Sequence, residues 1–162
     1  MTKFLILLLA FFWGCRNNSI EDQNGDEIPA AIVGTWIVCK SNVLPFEHIS
    51  FCEKLGINSV FEFDQQGNIR VYESQEQKEN CNQSQTFWVD SLGLNIFEYD
   101  FSYNYKVLKL TSDSLVLSTN RVPKYIYKEA FEKGRRDIEN DVTREISKNG
   151  IVISFVKYKN GG

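Results

Sequence analysis

A mainly β domain is the fold class this sequence predicts: a barrel or sandwich of about eight short antiparallel strands, with one amphipathic helix before the last. Three observations predict it. Segments of period-two alternation recur with turn signals at intervals of about ten residues. Aromatics make up 14 % of the chain, with 12 Phe and 7 Tyr against 3 Pro and 1 Met, which suits pleated, half-buried strands. A helical period appears only once, over residues 127–148.

Ile32 to Cys39 (IVGTWIVC) reads as the first strand, with Val33, Thr35, Ile37 and Cys39 on one face and Gly34, Trp36 and Val38 on the other. Residues 40–58 hold Pro45 and no clean period, so they read as a long connection with a short helix around Ser50–Lys54. Ser59 to Asp64 is the second strand, with Phe61 and Phe63 sharing a face. Gln65-Gln66-Gly67-Asn68 supplies turn chemistry before the third strand, Asn68 to Tyr72. Glu73 to Ser84 is polar and aperiodic, a loop.

Gln85 to Asp90, Leu94 to Tyr99 and Tyr103 to Leu110 follow as strands, and Ser91-Leu92-Gly93 turns between the first two. Thr111-Ser112-Asp113 turns into Ser114 to Thr119, where Leu115 and Leu117 share a face. From Tyr127 to Lys148, Phe131, Ile138, Val142 and Ile146 recur at near multiples of four, an amphipathic helix that Gly134 weakens and Asn149-Gly150 stops. Ile151 to Tyr158 closes the series as the eighth strand.

The first fifteen residues hold a lone Lys3, an uncharged run from Phe4 to Trp13, and Gly14-Cys15. A charged start, a short apolar middle and a small residue at the cut describe a secretory signal peptide. The run falls short of the ~20 apolar residues a membrane span requires. A cysteine directly after the small residue resembles a bacterial lipoprotein signal, in which that cysteine is acylated, palmitate included. Phe12 and Trp13 depart from the usual Leu and small residue, a looseness shared with lipoproteins of Bacteroidetes-type bacteria. The alternative is an ordinary cleaved signal that leaves Cys15 an incidental thiol. Arg16 to Glu27 (RNNSIEDQNGDE) is too polar to bury a face and reads as a tether. The resemblance implies residues 1–14 as signal, 15–28 as lipidated Cys15 and tether, and 29–162 as the domain. Arg16 does not resemble an inner-membrane retention signal, so the implied site is the cell envelope, lipid-anchored at the outer membrane.

Loss of Lys3 with the leader takes the 18 basic side chains to 17 against 21 acidic ones, a net charge of −4. That argues against nucleic acid, which requires clustered Lys and Arg on one face. Lys133-Gly134-Arg135-Arg136 is flanked by acids and reads as a solvated helix face. With Cys15 acylated, Cys39, Cys52 and Cys81 allow one bridge outside the cytoplasm. Cys52–Cys81 is favoured because the two flank the same apparent hairpin, residues 59–72. Cys39–Cys52 is the runner-up, and Cys39 then reads as a small buried residue at a strand end. A zinc set of Cys39, His48, Cys52 and Cys81 lacks a C-x-x-C element and is disfavoured.

Eight antiparallel strands opening on Gly34-Thr35-Trp36 resemble the lipocalin-like (calycin) domains of bacterial lipoproteins. Phe51-Cys52 to Cys81 around VFEFDQQGNIRVYE is similar to the paired cysteines of that family, Tyr105 to Leu117 to its sixth and seventh strands, and Phe155 to Tyr158 to its closing strand. The resemblance implies an eight-stranded barrel whose floor is closed by Gly34 and Trp36. Lipocalins proper place a helix after the last main strand, whereas here 127–148 precedes it. Such a barrel is filled by side chains or holds one small ligand.

Extended backbone over 97–105 puts Phe97, Tyr99, Phe101, Tyr103 and Tyr105 on one face. With Phe61, Phe63 and Trp88 these aromatics make either the wall of a ligand cup or plain core, and a hairpin breaking near Asp100 would split them. His48, the single histidine, lies in the 40–58 connection without a Ser or Cys partner at motif spacing and reads as solvated. Glu98 and Asp100 read as solvent-facing acids rather than the convergent pair of a glycosidase. No phosphate loop, zinc helix or nucleophile motif appears, so no catalytic residue, cofactor or metal is expected. Two functions compete: a membrane-tethered cup for a small apolar or amphipathic molecule, and an interaction domain with a filled barrel that works through its outside.

Overall fold

The computed structural model describes residues 29–48, 52–77, 79–82, 84–91, 93–132 and 141–159. The signal sequence, Cys15 and the tether of the sequence reading lie outside the described residues. Ten strands form in chain order: β1 (Gly34–Ser41), β2 (Phe46–His48), β3 (Cys52–Leu55), β4 (Val60–Phe63), β5 (Asn68–Tyr72), β6 (Gln85–Asp90), β7 (Gly93–Glu98), β8 (Phe101–Leu110), β9 (Ser114–Thr119) and β10 (Ile151–Lys157). Helices α1 (Lys124–Glu132) and α2 (Asp141–Asn149) lie between β9 and β10. Eight strands close an antiparallel barrel in the order β1-β10-β9-β8-β7-β6-β5-β4, the one of the two expected architectures that the lipocalin-like resemblance implies, and β2 and β3 pair separately.

Period-two alternation builds the wall. In β1, Trp36 and Val38 are buried while Thr35 and Ile37 are only half-buried. Phe61 and Phe63 in β4, Ile69 and Val71 in β5, Leu94 and Ile96 in β7, Leu115 and Leu117 in β9, and Ile151, Ile153 and Phe155 in β10 supply the inward side. The aromatic rings interlock edge to face: Phe61 and Phe155 lie 5.1 Å apart, and Phe63 and Phe87 4.9 Å apart. Such pairs add about 1 kcal/mol each beyond their burial.

One end closes where β1 begins. Trp36 is fully buried, and its indole N–H donates to the Ile32 carbonyl at 2.7 Å. Lys157 Nζ lies over the indole ring, 5.1 Å from its centre. A Cβ on Gly34 would stand 2.7 Å from Lys157 Cε, and its φ of +130° excludes most other residues. Gly93 is tighter still, since a Cβ there would stand 2.2 Å from the Tyr105 carbonyl oxygen of β8.

Three expectations are corrected. Where a short helix around Ser50–Lys54 is expected, the described residues from Cys52 are strand: Cys52–Leu55 forms β3, whose strand partner is β2 and whose Cys52 and Leu55 are buried. Cys39 is exposed rather than buried, because it lies on the outward face of β1 at a bulge between Val38 and Lys40. Finally, the 127–148 segment is described only at its ends, as α1 and α2, and its inward face differs in part from the one expected. In α2 Ile146 is buried as the period predicts, but Val142 is exposed and Thr143 is the other buried residue. Phe131, Gly134 and Ile138 lie outside what is described of the side chains. The stop at Asn149-Gly150 forms as expected, with Gly150 N–H donating to the Ile146 carbonyl at 2.8 Å.

Cys52 and Cys81 form the disulfide, with a Cα–Cα distance of 5.3 Å across 29 residues. On the chain-entropy model a loop of that length contributes about 3.5 kcal/mol. It joins β3 to the loop before β6.

Candidate functional site

Two regions hold the residues that the sequence singles out: the barrel interior and the outer face of β6, β7 and β8. Inside, β2 is buried along its whole length, and it carries His48 to the inward side chains of β6 and β8. His48 Nδ1 is 2.7 Å from Tyr105 Oη, and Nε2 is 3.2 Å from Gln85 Oε1. The proton positions follow from the backbone. Asn82 Oδ1 accepts from Val71 N–H at 2.7 Å and Asn82 Nδ2 donates to the Ile69 carbonyl at 2.8 Å, which fixes that amide. Asn82 Nδ2 also donates to Gln85 Oε1 at 3.0 Å. Gln85 Oε1 can only accept, so His48 Nε2 carries the proton and Nδ1 accepts from the Tyr105 hydroxyl.

The sequence reading of His48 as solvated is therefore overturned: it is fully buried. Desolvation lowers its pKa to about 4, against the opposing effect of the Gln85 hydrogen bond, and Arg121 lowers it further. Burial raises the Tyr105 phenol well above its ordinary value. A neutral imidazole whose acceptor nitrogen already holds a tyrosine proton has no free base for activating a nucleophile. What it does is anchor β2. His48 also meets the edge of Phe61 at 5.1 Å between ring centres. The Glu47 carboxylate accepts from Lys124 N–H at the start of α1, where an unpartnered helix donor requires an acceptor. The β2–β3 pair is thus held to β6, β8, α1 and, through the disulfide, the loop before β6.

The aromatic residues predicted for a cup divide. Phe61, Phe63 and Tyr105 are buried in the barrel core. Tyr103 is half-buried beneath the Arg121 guanidinium, which lies 4.4 Å from its ring centre. Trp88, Phe97 and Tyr99 are outside, exposed by 36 %, 41 % and 71 %. The reason is the hairpin at Asp100: Tyr99 takes a φ of +51°, and Glu98 pairs with Phe101, so Phe97 faces out beside Ser102 while Tyr103 faces in beside Ile96. Glu98, read as solvent-facing, is 2 % exposed for the same reason of register. A zinc set is ruled out by the disulfide, which consumes Cys52 and Cys81.

Two clefts open at the surface. One of about 430 Å³ lies over the outward residues Thr35, Ile37, Val60 and Tyr72 beside the loop after β5. The other, of about 370 Å³, follows the β8–β9 rim at Tyr103, Tyr105, Thr119 and Arg121. On the outer face of β6–β8, Trp88 and Phe97 pack with ring centres 5.0 Å apart, beside Asp90, Asn95 and Asn104.

No family model, no curated protein and no solved structure matches this chain. The likeness to lipocalin-like lipoproteins therefore rests on the residues quoted for it.

Proposed function

We propose that this chain is a lipocalin-like lipoprotein of the cell envelope, anchored by acylated Cys15 at the outer membrane. Its barrel serves as a non-enzymatic interaction domain that works through its outer aromatic face. One observation carries the reading: the aromatic residues divide between a packed interior and the outer face. Trp36, Phe61, Phe63, Phe87 and Phe155 fill the core, whereas Trp88 and Phe97 pack on each other outside it. An exposed, packed aromatic pair offers apolar surface to a partner. The cup for a small apolar ligand is the less supported alternative, because Phe61 and Tyr105, two of its wall residues, pack against His48. A single acyl chain binds membranes reversibly and two or more hold stably, so a multiply acylated Cys15 would keep the barrel at the surface.

Intact mass measured on chain extracted from membranes tests both halves. Under denaturing conditions the expected mass is that of residues 15–162 plus acyl groups, absent from Cys15→Ala. Under native conditions the mass is expected to be unchanged. A non-covalent adduct lost on denaturation would restore the cup, and an unacylated wild-type chain would remove the anchor.

A further inference from the structure

We propose that the outer face of β6, β7 and β8 binds a neutral carbohydrate, a pyranose oligosaccharide. The inference rests on the reading of the outer face as the working surface and names what that face takes. Strand register sets its composition. Thr86, Trp88 and Asp90 of β6, Asn95 and Phe97 of β7, and Ser102, Asn104 and Lys106 of β8 point outward, alternating with buried Phe87, Leu94, Ile96 and Tyr105. Trp88 pairs with Asn95 and Phe97 with Thr86, so the two rings meet diagonally across neighbouring strands, tilted by 35°. Together they offer a shallow apolar platform at the surface.

The polar groups beside the platform are hydrogen-bonded in sequence. Trp88 Nε1–H donates to Asp90 Oδ2 at 3.3 Å, which holds the indole in place. Asn95 Nδ2 donates to the same oxygen at 2.9 Å, and Asn104 Nδ2 donates to Asn95 Oδ1 at 2.9 Å. Asn95 Nδ2 also donates to the Gly93 carbonyl at 3.5 Å, so both of its N–H groups are engaged, whereas Asn104, which gives one N–H to Asn95, keeps a second N–H and its Oδ1 for a ligand. Fixed amide and carboxylate groups beside an aromatic plane match a pyranose ring, whose C–H face is apolar and whose rim is hydroxyl.

Charge decides between partners. The outward residues of this face include one acid, Asp90, and one base, Lys106. An anionic lipid surface or a nucleic acid would require several cations, which are not among them. An uncharged, hydroxyl-rich ligand requires none.

The test is a titration of the mature, acylated chain in a sugar-free detergent with cellotetraose and chitotetraose. Removing the leader removes Trp13, so Trp36 and Trp88 are the two fluorophores, one buried and one exposed. A saturable change in emission is expected, with a Kd of about 0.1–1 mM for a one-sided shallow contact. It should vanish in Trp88→Phe, where Trp36 alone reports. By calorimetry the affinity should fall about tenfold in Phe97→Ala and in Asn104→Ala. Retention of the wild-type near-ultraviolet circular dichroism from Trp36 shows that each variant is folded. No saturable binding of either sugar up to about 10 mM, or binding untouched by Phe97→Ala, overturns the proposal. Failure of the sugars with a ligand-free native mass removes only the carbohydrate. A non-covalent ligand in the native mass removes the outer-face reading itself.

Discussion

Trp36→Ala is expected to lower the folding stability by about 4 kcal/mol, whereas Trp88→Ala should cost only about 1 kcal/mol. The difference follows from position. Trp36 is fully buried, its indole N–H is committed to the Ile32 carbonyl, and Lys157 lies across its ring. Truncation removes the apolar contacts, leaves a cavity where Ile32 closes the barrel end, and strips that carbonyl of its donor. Trp88 stands on the outer face with Phe97 and Asp90 as neighbours, so its removal opens no internal space. Urea unfolding of both variants measures the contrast. Equal losses would mean that the two tryptophans have the same burial and that the division between core and surface is misassigned.

The second large effect is acid sensitivity centred on His48. In the folded chain its pKa is lowered to about 4, and in the unfolded chain it titrates near its ordinary value of 6.5. Between these values the unfolded chain binds a proton that the folded chain refuses. Stability is therefore complete above about pH 7, falls as pH drops through 6.5, and levels off below 4, a total loss of about 3 kcal/mol. Asp64 has a pKa lowered by hydrogen bonds from Asn68 and Gln66, so its contribution is lost only below the ordinary carboxylate range and does not overlap this window. Urea midpoints from pH 7.5 to 4 should follow that curve, and His48→Gln should flatten it. A wild-type profile that is level across this window would mean that His48 is solvated, as its sequence context suggests, and that β2 is not anchored through it.

The strands were legible because alternation sorts side chains between two faces, while closure into a barrel rather than a sandwich was implied by the lipocalin-like resemblance. Asn68–Tyr72, Gln85–Asp90 and Ser114–Thr119 have the bounds that period and turn residues assign them. The pairing of Cys52 with Cys81 was legible from the hairpin between them. What alternation could not reveal was the interior of the 40–58 connection. Phe46-Glu47-His48 is buried on both faces, so it has no period to detect, and its partners Tyr105 and Gln85 are 57 and 37 residues away. Asn82 carries no signal either: its amide stands in for a strand backbone, bonding Val71 N–H and the Ile69 carbonyl where β5 and β6 pair through only two residue positions. The exposed platform was hidden for a different reason. Whether Tyr103 and Tyr105 share a face with Phe97 depends on the turn between β7 and β8, where Tyr99 takes a positive φ that no local pattern announces.

The central claim, that the barrel is filled and the outer face works, is tested most directly by titrating a fluorescent fatty acid against the Trp88→Phe chain. Trp36, buried among the core residues, is then the sole tryptophan of the mature protein. The expected result is no saturable energy transfer from Trp36 to the probe, since side chains already occupy the space around it. Stoichiometric, saturable transfer would place an apolar molecule inside the barrel and contradict the account.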